Sequence, residues 1–316
     1  MQPPRPLSPG SPLASPAAIR SLPPWPDVPR DQLSVDFFVA APALRPFITG
    51  YNVYGVFGPD AGKRELYFPG WTTIRFSFPQ SPWRVRYGRG AVETVMPAAV
   101  FGPSASDLET DSVLAGISVG FVVTPLGMAR LLPVAADRLA GRLTPLGALW
   151  ADADALLDQI AALPDAASLP GFLDAMLLAR LGPPHRDAPL VAELARLLVD
   201  QHDIETPRIC AHLGCSPATL RRLSRRHFGF APKLLLRRSR FLKSLFAIIG
   251  QDQGRWAQLI DASYTDQSHF IRDCREFLNC TPGEFLRRER PMTMLSLKRR
   301  AEVLGAPLVA LHPPPR

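Results

Sequence analysis

The sequence predicts an α+β protein: an N-terminal small β-barrel or sandwich with trailing helices, followed by an all-α tandem helix-turn-helix domain. Three observations carry this. From residue 34 to 123, short aromatic and β-branched runs recur at turn-marked intervals, the rhythm of a sandwich or barrel. After them leucines recur at helical spacing, as in Leu173, Leu177, Leu178 and Leu181. Last, residues 216–288 repeat themselves. Slid by 50 positions, Leu220, Arg222 and Arg225 fall on Phe270, Arg272 and Arg275, and Gly229-Phe230-Ala231-Pro232 falls on Asn279-Cys280-Thr281-Pro282. An internal repeat outranks any single motif, and two copies are too few for a solenoid.

The first 33 residues hold ten prolines and little that can pack, so residues 1–33 are expected to be a disordered leader. Residues 34–182 form the β-rich domain. Strands are expected at 47–56, 65–68, 72–78, 83–87, 92–95, 98–101 and 113–123, then helices at 127–132, 135–139, 153–162 and 171–181. Gly182-Pro183-Pro184 marks the domain boundary. Residues 185–290 are the helical domain, opening on a helix at 188–199. Residues 291–316, with the cluster Lys298, Arg299 and Arg300 and a Pro-Pro-Pro-Arg end, read as a mobile basic tail.

The repeat explains itself as punctuation. Pro207 to Leu213 makes a short helix that Gly214 stops, because glycine accepts the left-handed C′ position without strain. Ser216 is an N-cap with Pro217 at N1, so a new helix starts at once; helix, short turn and helix is the signature. In the second copy, Trp256 to Ala262 is the positioning helix, with Ser263 where glycine would be least strained. Asp266 caps a helix from Gln267 to Leu278, Asn279 closes it, and Thr281-Pro282-Gly283-Glu284 is a capping box.

The chain carries 36 Lys and Arg against 28 Asp and Glu, a net charge of +8. From residue 201 onward the count is 20 against 10, and before it 16 against 18. All the excess positive charge therefore sits in the repeat-bearing half, which suits a polyanionic partner. Nine basic residues and no acidic one lie between Arg221 and Lys243. Leu220 and Leu223 hold one helix face down, while Arg221, Arg222 and Arg225 are offered on the other, as a helix in a major groove requires. Ala218 and Thr219 would approach base edges. In the second unit Gln267, Ser268, Arg272 and Arg275 take these places, and Asp273 is expected to face the protein. Lys233, Arg237 and Arg238 on the linking helix are candidates for phosphate contacts. The plainer alternative is a basic surface helix.

All six histidines and all four cysteines lie beyond residue 184. The β-rich domain thus has no His or Cys for a catalytic metal, and Cys210 and Cys215 have no matching pair at zinc spacing. No G-x-S-x-G elbow appears. The expectation is no enzyme, no cofactor and no metal. No secretory signal or membrane span is visible, and the chain is expected in the cytoplasm. Trp71, Arg75, Phe76, Trp83 and Arg86 could line an effector pocket, although ordinary strand packing is the commoner reason for such residues.

Residues 187–290 resemble the C-terminal domain of the AraC/XylS family of bacterial transcriptional regulators. The matching phrases are Ser216-Pro217 with Leu220 and Arg222, Gly229-Phe230-Ala231-Pro232-Lys233, Arg240-Phe241, Trp256 to Leu259, Tyr264-Thr265-Asp266-Gln267-Ser268-His269-Phe270-Ile271-Arg272-Asp273, and Thr281-Pro282-Gly283-Glu284-Phe285. The resemblance implies two helix-turn-helix units bridged by a long helix at about 232–249. It puts Ala218, Arg221, Arg222, Gln267, Ser268, Ile271 and Arg272 toward DNA. Ser224 and Cys274 depart from the large aromatic usual there, Ser263 from Gly, and Leu259 and Cys210 from Ala. More faintly, Leu44-Arg45-Pro46-Phe47, Glu65-Leu66-Tyr67-Phe68-Pro69, Gly120-Phe121 with Pro125 and Gly127, and Leu143-Thr144-Pro145-Leu146 before Leu149-Trp150 resemble the family's cupin-like sensor domain. Double-stranded DNA is the implied partner, with a small-molecule effector; RNA polymerase and a second copy of the chain are compatible partners. The alternatives are an effector-independent architectural DNA-binding protein and, less in keeping with the residues, an enzyme in the β-rich domain.

Overall fold

The computed structural model describes residues 21–81, 83–110, 115–200, 204–249, 260, 264 and 266–305. Ten strands form two sheets: β1 (Ser34–Phe38), β2 (Ile48–Val56), β3 (Glu65–Tyr67), β4 (Thr73–Pro79), β5 (Arg84–Tyr87), β6 (Val92–Thr94), β7 (Ala98–Phe101), β8 (Leu108–Thr110), β9 (Gly116–Val123) and β10 (Leu143–Pro145). One sheet runs β1-β2-β9-β4-β7-β10 and the other β3-β8-β5-β6. All pairings are antiparallel. The two sheets make an open sandwich rather than a closed barrel. The centre of the larger sheet reads as the sequence predicts: Ile74, Phe76 and Phe78 of β4 and Val119 and Phe121 of β9 are fully buried, and their alternation fixes the register Ile74↔Phe121 and Phe78↔Ile117. The strands β8 and β10 are only three residues long and have no run of their own in the sequence.

Four helices close this domain: α1 (Pro125–Leu131), α2 (Ala136–Leu139), α3 (Ala153–Ala161) and α4 (Leu169–Arg180). Leu156, Leu157, Ile160, Leu173 and Leu177 all join the sheet's core and Leu181 packs partly buried against it, whereas Leu178 of the leucine stripe is exposed. The leader needs correcting. Trp25 and Val28 are 1% exposed, Trp25 Nε1 donates to Leu163 O at 2.9 Å, and Asp27 accepts from the Ala166 and Ala167 amides. Residues 21–33 thus strap across the helices, because a tryptophan outweighs a proline-rich context once it finds a slot. Residues 1–20 lie outside the described part.

The C-terminal domain comprises α5 (Ala188–Asp200), α6 (Thr206–Leu213), α7 (Pro217–Phe228), α8 (Pro232–Ile248), α9 (Gln267–Phe277) and α10 (Pro282–Arg287). Every predicted cap among the described residues forms. Gly214 is left-handed at φ 60°; Ser216 Oγ accepts from the Thr219 amide at 3.1 Å; Asp266 accepts from His269 N at 2.7 Å. Asn279 takes φ 54°, and Thr281 and Glu284 complete the capping box. The expected helix at 256–262 and Ser263 lie outside the described residues. The tail is a second correction: Pro291–Leu304 is a helix, α11, closed by Gly305 at φ 71°. It lies against β1 and β3, where Met292 is 3% exposed within a cluster with Val35 and Phe37. Glu65 accepts from the Met292 and Thr293 amides at 2.7 and 3.2 Å and from Thr293 Oγ1 at 2.8 Å. A β-strand carboxylate therefore supplies the N-terminal acceptor that α11 itself lacks.

Candidate nucleic-acid interface and the cavity behind it

On α7, Leu220, Leu223, Ser224, His227 and Phe228 are buried, so Ala218, Arg221, Arg222 and Arg225 lie on the exposed face, with Thr219 half-buried. The small Ser224 is used: its hydroxyl donates to Phe230 O at 2.7 Å, tying the recognition helix to the turn that follows. On α9, Gln267, Ser268, Arg272 and Arg275 are exposed and Ile271 is half-buried, while Phe270, Asp273 and Cys274 face inward. Asp273 faces the protein as expected, accepting from Tyr264 Oη at 2.8 Å and from Arg237.

Two of the four α7 arginines are already engaged. Arg222 Nη1 donates to Asp187 Oδ2 at 2.8 Å and Nη2 to Oδ1 at 3.3 Å, and the guanidinium holds the Asp187 carboxyl below the usual carboxylate range. Arg225 lies 3.3 Å from Asp137 of α2. Beside them His227, only 2% exposed, donates through Nδ1 to Pro125 O of α1 at 3.3 Å. Burial, with His185 adjacent, pulls its imidazole down to about 4.

The linking helix supplies one correction. Lys233 is exposed, and Arg237 is shared between Asp273 and Glu276. Arg238, however, is 1% exposed and cannot touch phosphate. Its Nε donates to Ser104 O and its Nη2 to Pro69 O, both at 2.8 Å, and its guanidinium lies 4.3 Å from the Trp71 ring centroid. Helical phase could have found this. Leu235, Arg238, Leu242 and Leu245 are spaced 3, 4 and 3 apart, on the buried stripe of α8.

A cavity of about 270 Å³ opens between the sheets and α11. Trp71, Arg75 and Trp83 line it, as the sequence suggests, but Phe76 and Arg86 do not. Phe76 points into the main core because strand alternation puts it on the opposite face from Arg75. Arg86 is turned to Glu109. Residues the sequence reading missed complete the wall: Asn52, Tyr54, Tyr67, Ser296 and Arg300. They come from strands that carry no polar motif and from a helix that reads as tail. Arg75 stacks on Tyr54 at 4.4 Å. The Nε of the buried Arg300 and Asn52 Oδ1 have no partner.

No curated protein matches the chain. Residues 209–288 match the family model described as helix-turn-helix domain. Among solved structures, ToxT from Vibrio cholerae is 13% identical with a TM-score of 0.43, over 75% of this chain and 97% of that one. The AraC-like transcriptional activator CuxR is 14% identical with a TM-score of 0.22, over 72% and 91%. A cupin domain from Bordetella pertussis Tohama I is 8% identical with a TM-score of 0.23, over 30% and 97%. No helix among the described residues is long and apolar enough to cross a membrane. The capped repeat and the matching family model agree: residues 209–288 are a helix-turn-helix domain of the AraC type.

Proposed function

We propose that the chain is a sequence-specific DNA-binding transcriptional regulator of the bacterial cytoplasm whose reader is the pair α7 and α9. The observation that carries the reading is one helix face presenting Ala218, Arg221, Arg222 and Arg225 to solvent, on a helix set by the Ser216 cap and the Gly214 turn. Arginine matches guanine O6 and N7 as a fork, and glutamine, here Gln267, matches adenine. Lys233, Arg272 and Arg275 supply phosphate contacts, which fix register. The cavity behind α11 serves a small, largely apolar effector, with Arg75 and Arg300 suited to a polar or anionic end.

The test is selection of a target duplex from random DNA, then titration by fluorescence anisotropy across salt. Affinity should fall steeply with salt through counterion release. Arg222→Ala should weaken the selected site by roughly 1–3 kcal/mol and relax preference at one base position. A flat salt titration, or unchanged affinity in the variant, would remove this reading. Effector binding is tested separately, by a ligand-dependent rise in Tm.

A further inference from the structure

The Asp187 carboxylate that holds Arg222 also faces two imidazoles. His227 Nε2 lies 3.7 Å from Asp187 Oδ2, and His185 Nδ1 lies 3.8 Å from the same oxygen. All three ligand atoms fall within 4.8 Å of one another. A carbonyl can only accept, so the contact from His227 Nδ1 to Pro125 O puts that ring's proton on Nδ1 and leaves a bare lone pair on Nε2. That atom is buried and has no hydrogen-bond partner. A lone pair and a carboxylate oxygen thus face each other with no proton between them, an arrangement that a cation would relieve. The second ring is less free: His185 Nδ1 takes the Asp187 amide at 3.1 Å and must give it up to ligate.

We propose that His185, Asp187 and His227 form a binding site for a late first-row divalent cation, Zn²⁺ above all, at the junction of the interdomain linker, α7 and the first domain. Two imidazoles and a carboxylate with an open fourth position are a zinc donor set. Tetrahedral ligation puts donor atoms about 3.3 Å apart, so the 3.7 and 3.8 Å separations need only small contraction. Nδ1 of His227, donating to a backbone carbonyl, is the outer contact that ligating histidines normally keep. The sequence hides this site, because its ligands lie 42 residues apart from His185 to His227 and match no short spacing.

The site bears on DNA because the oxygen it needs is the one Arg222 occupies. A divalent ion on Oδ2 takes that acceptor and repels the guanidinium, releasing Arg222 from the linker on the exposed face of α7. This regulatory half rests on the proposed reading of α7; the metal site does not.

The test uses the full chain, freed of metal by chelator. Co²⁺ titration should give one equivalent with the visible absorption of a four-coordinate nitrogen and oxygen site, and Zn²⁺ should displace it. His227→Gln and His185→Gln should each weaken binding at least about tenfold, with unchanged circular dichroism confirming the fold. Cys210→Ser/Cys215→Ser should bind like the wild type. No saturable binding, or binding that survives both histidine substitutions, overturns the site. In the second arm, Zn²⁺ should tighten binding to the selected duplex about tenfold, the scale of one base contact, and leave Arg222→Ala unaffected. An equal response in both proteins overturns the coupling. If neither form binds DNA while one equivalent of Co²⁺ still binds, the reader assignment fails and the metal site stands.

Discussion

Replacing Arg238 with alanine should loosen the docking of the two domains, because one guanidinium satisfies two carbonyls of the first domain from a helix of the second. Ser104 O and Pro69 O each accept from it at 2.8 Å, and Trp71 lies under its face at 4.3 Å. A hydrogen bond from a charged donor contributes about 1.5–3 kcal/mol, and a desolvated cation–π contact about 2 kcal/mol. Against these stands the relief of not burying a guanidinium, which in folded proteins is several kcal/mol. Alanine also deprives both carbonyls of their donor. The net expectation is a loss of about 2–4 kcal/mol, read as a lower denaturation midpoint in urea with the fold retained. Arg238→Lys should recover part of it, since an ammonium can reach one carbonyl but lacks the fork. A change under about 1 kcal/mol for Arg238→Ala would refute the reasoning and mean that the desolvation cost already cancels the contacts.

The glycines give a paired prediction. Gly229→Ala should cost more than Gly214→Ala by at least about 1 kcal/mol in thermal or chemical unfolding. Both are left-handed, but a methyl at 229 would lie 2.7 Å from Pro103, whereas at 214 it meets nothing within 4 Å. Equal costs would show that Pro103 moves aside freely. The α5 carboxylate Glu193 gives a pH prediction. Its partners Arg196 and His212 hold it down at about 2, below its unfolded value near 4.3. Its stabilising effect is therefore present above that unfolded value and is lost as pH falls toward 2. Because the pair is largely exposed, Glu193→Gln should cost under about 1 kcal/mol at pH 7. The difference between variant and parent should vanish in acid unfolding curves below pH 2; a difference that persists there would mean the carboxylate acts through something other than charge.

The parts of the molecule written as local punctuation were legible in the sequence. Caps and stops act within three or four residues, so Ser216, Gly214, Asp266, Asn279 and Thr281 could be assigned before any packing was known, and each holds in the structure. What was not legible depends on which face a residue turns to a distant element. Arg238 belonged to a basic run in one dimension and to a buried stripe in three. Arg75 and Phe76 are neighbours in the chain, yet adjacent strand residues face opposite sides, so one lines the cavity and the other the core. The tail carried its own signs, Pro291 at N1 and Gly305 at C′, but its basic cluster outweighed them. Arg300 of that cluster proves to be 8% exposed against the cavity. Trp25 shows the converse: one large aromatic ring can anchor a segment whose composition argues for disorder.

The contacts between domains also bear on how a ligand could be felt at the reader. The first unit is held through buried groups: Trp71 packs on Phe228 with ring centroids 5.7 Å apart, and the Arg238 guanidinium lies over the same Trp71 ring. His227 reaches Pro125. The second unit is held by apolar contacts as well, the Phe68 ring lying 5.8 Å from Phe285 of α10 and 4.9 Å from Phe246 of α8, with Asn279 between the buried Asp107 and Arg89. Water cannot replace a tryptophan packed under a guanidinium, nor one phenylalanine packed on another. Trp71 is at once a wall of the cavity and a floor for α7 and α8. A ligand that shifts its indole must therefore repack Phe228 and Arg238 together, which biases the first unit directly. The second is reached through Phe68, which also lines the cavity and packs on Phe285, and through α8, where Arg237 grips Asp273 of α9. Coupling of that kind needs no hinge, only a ring that two domains share.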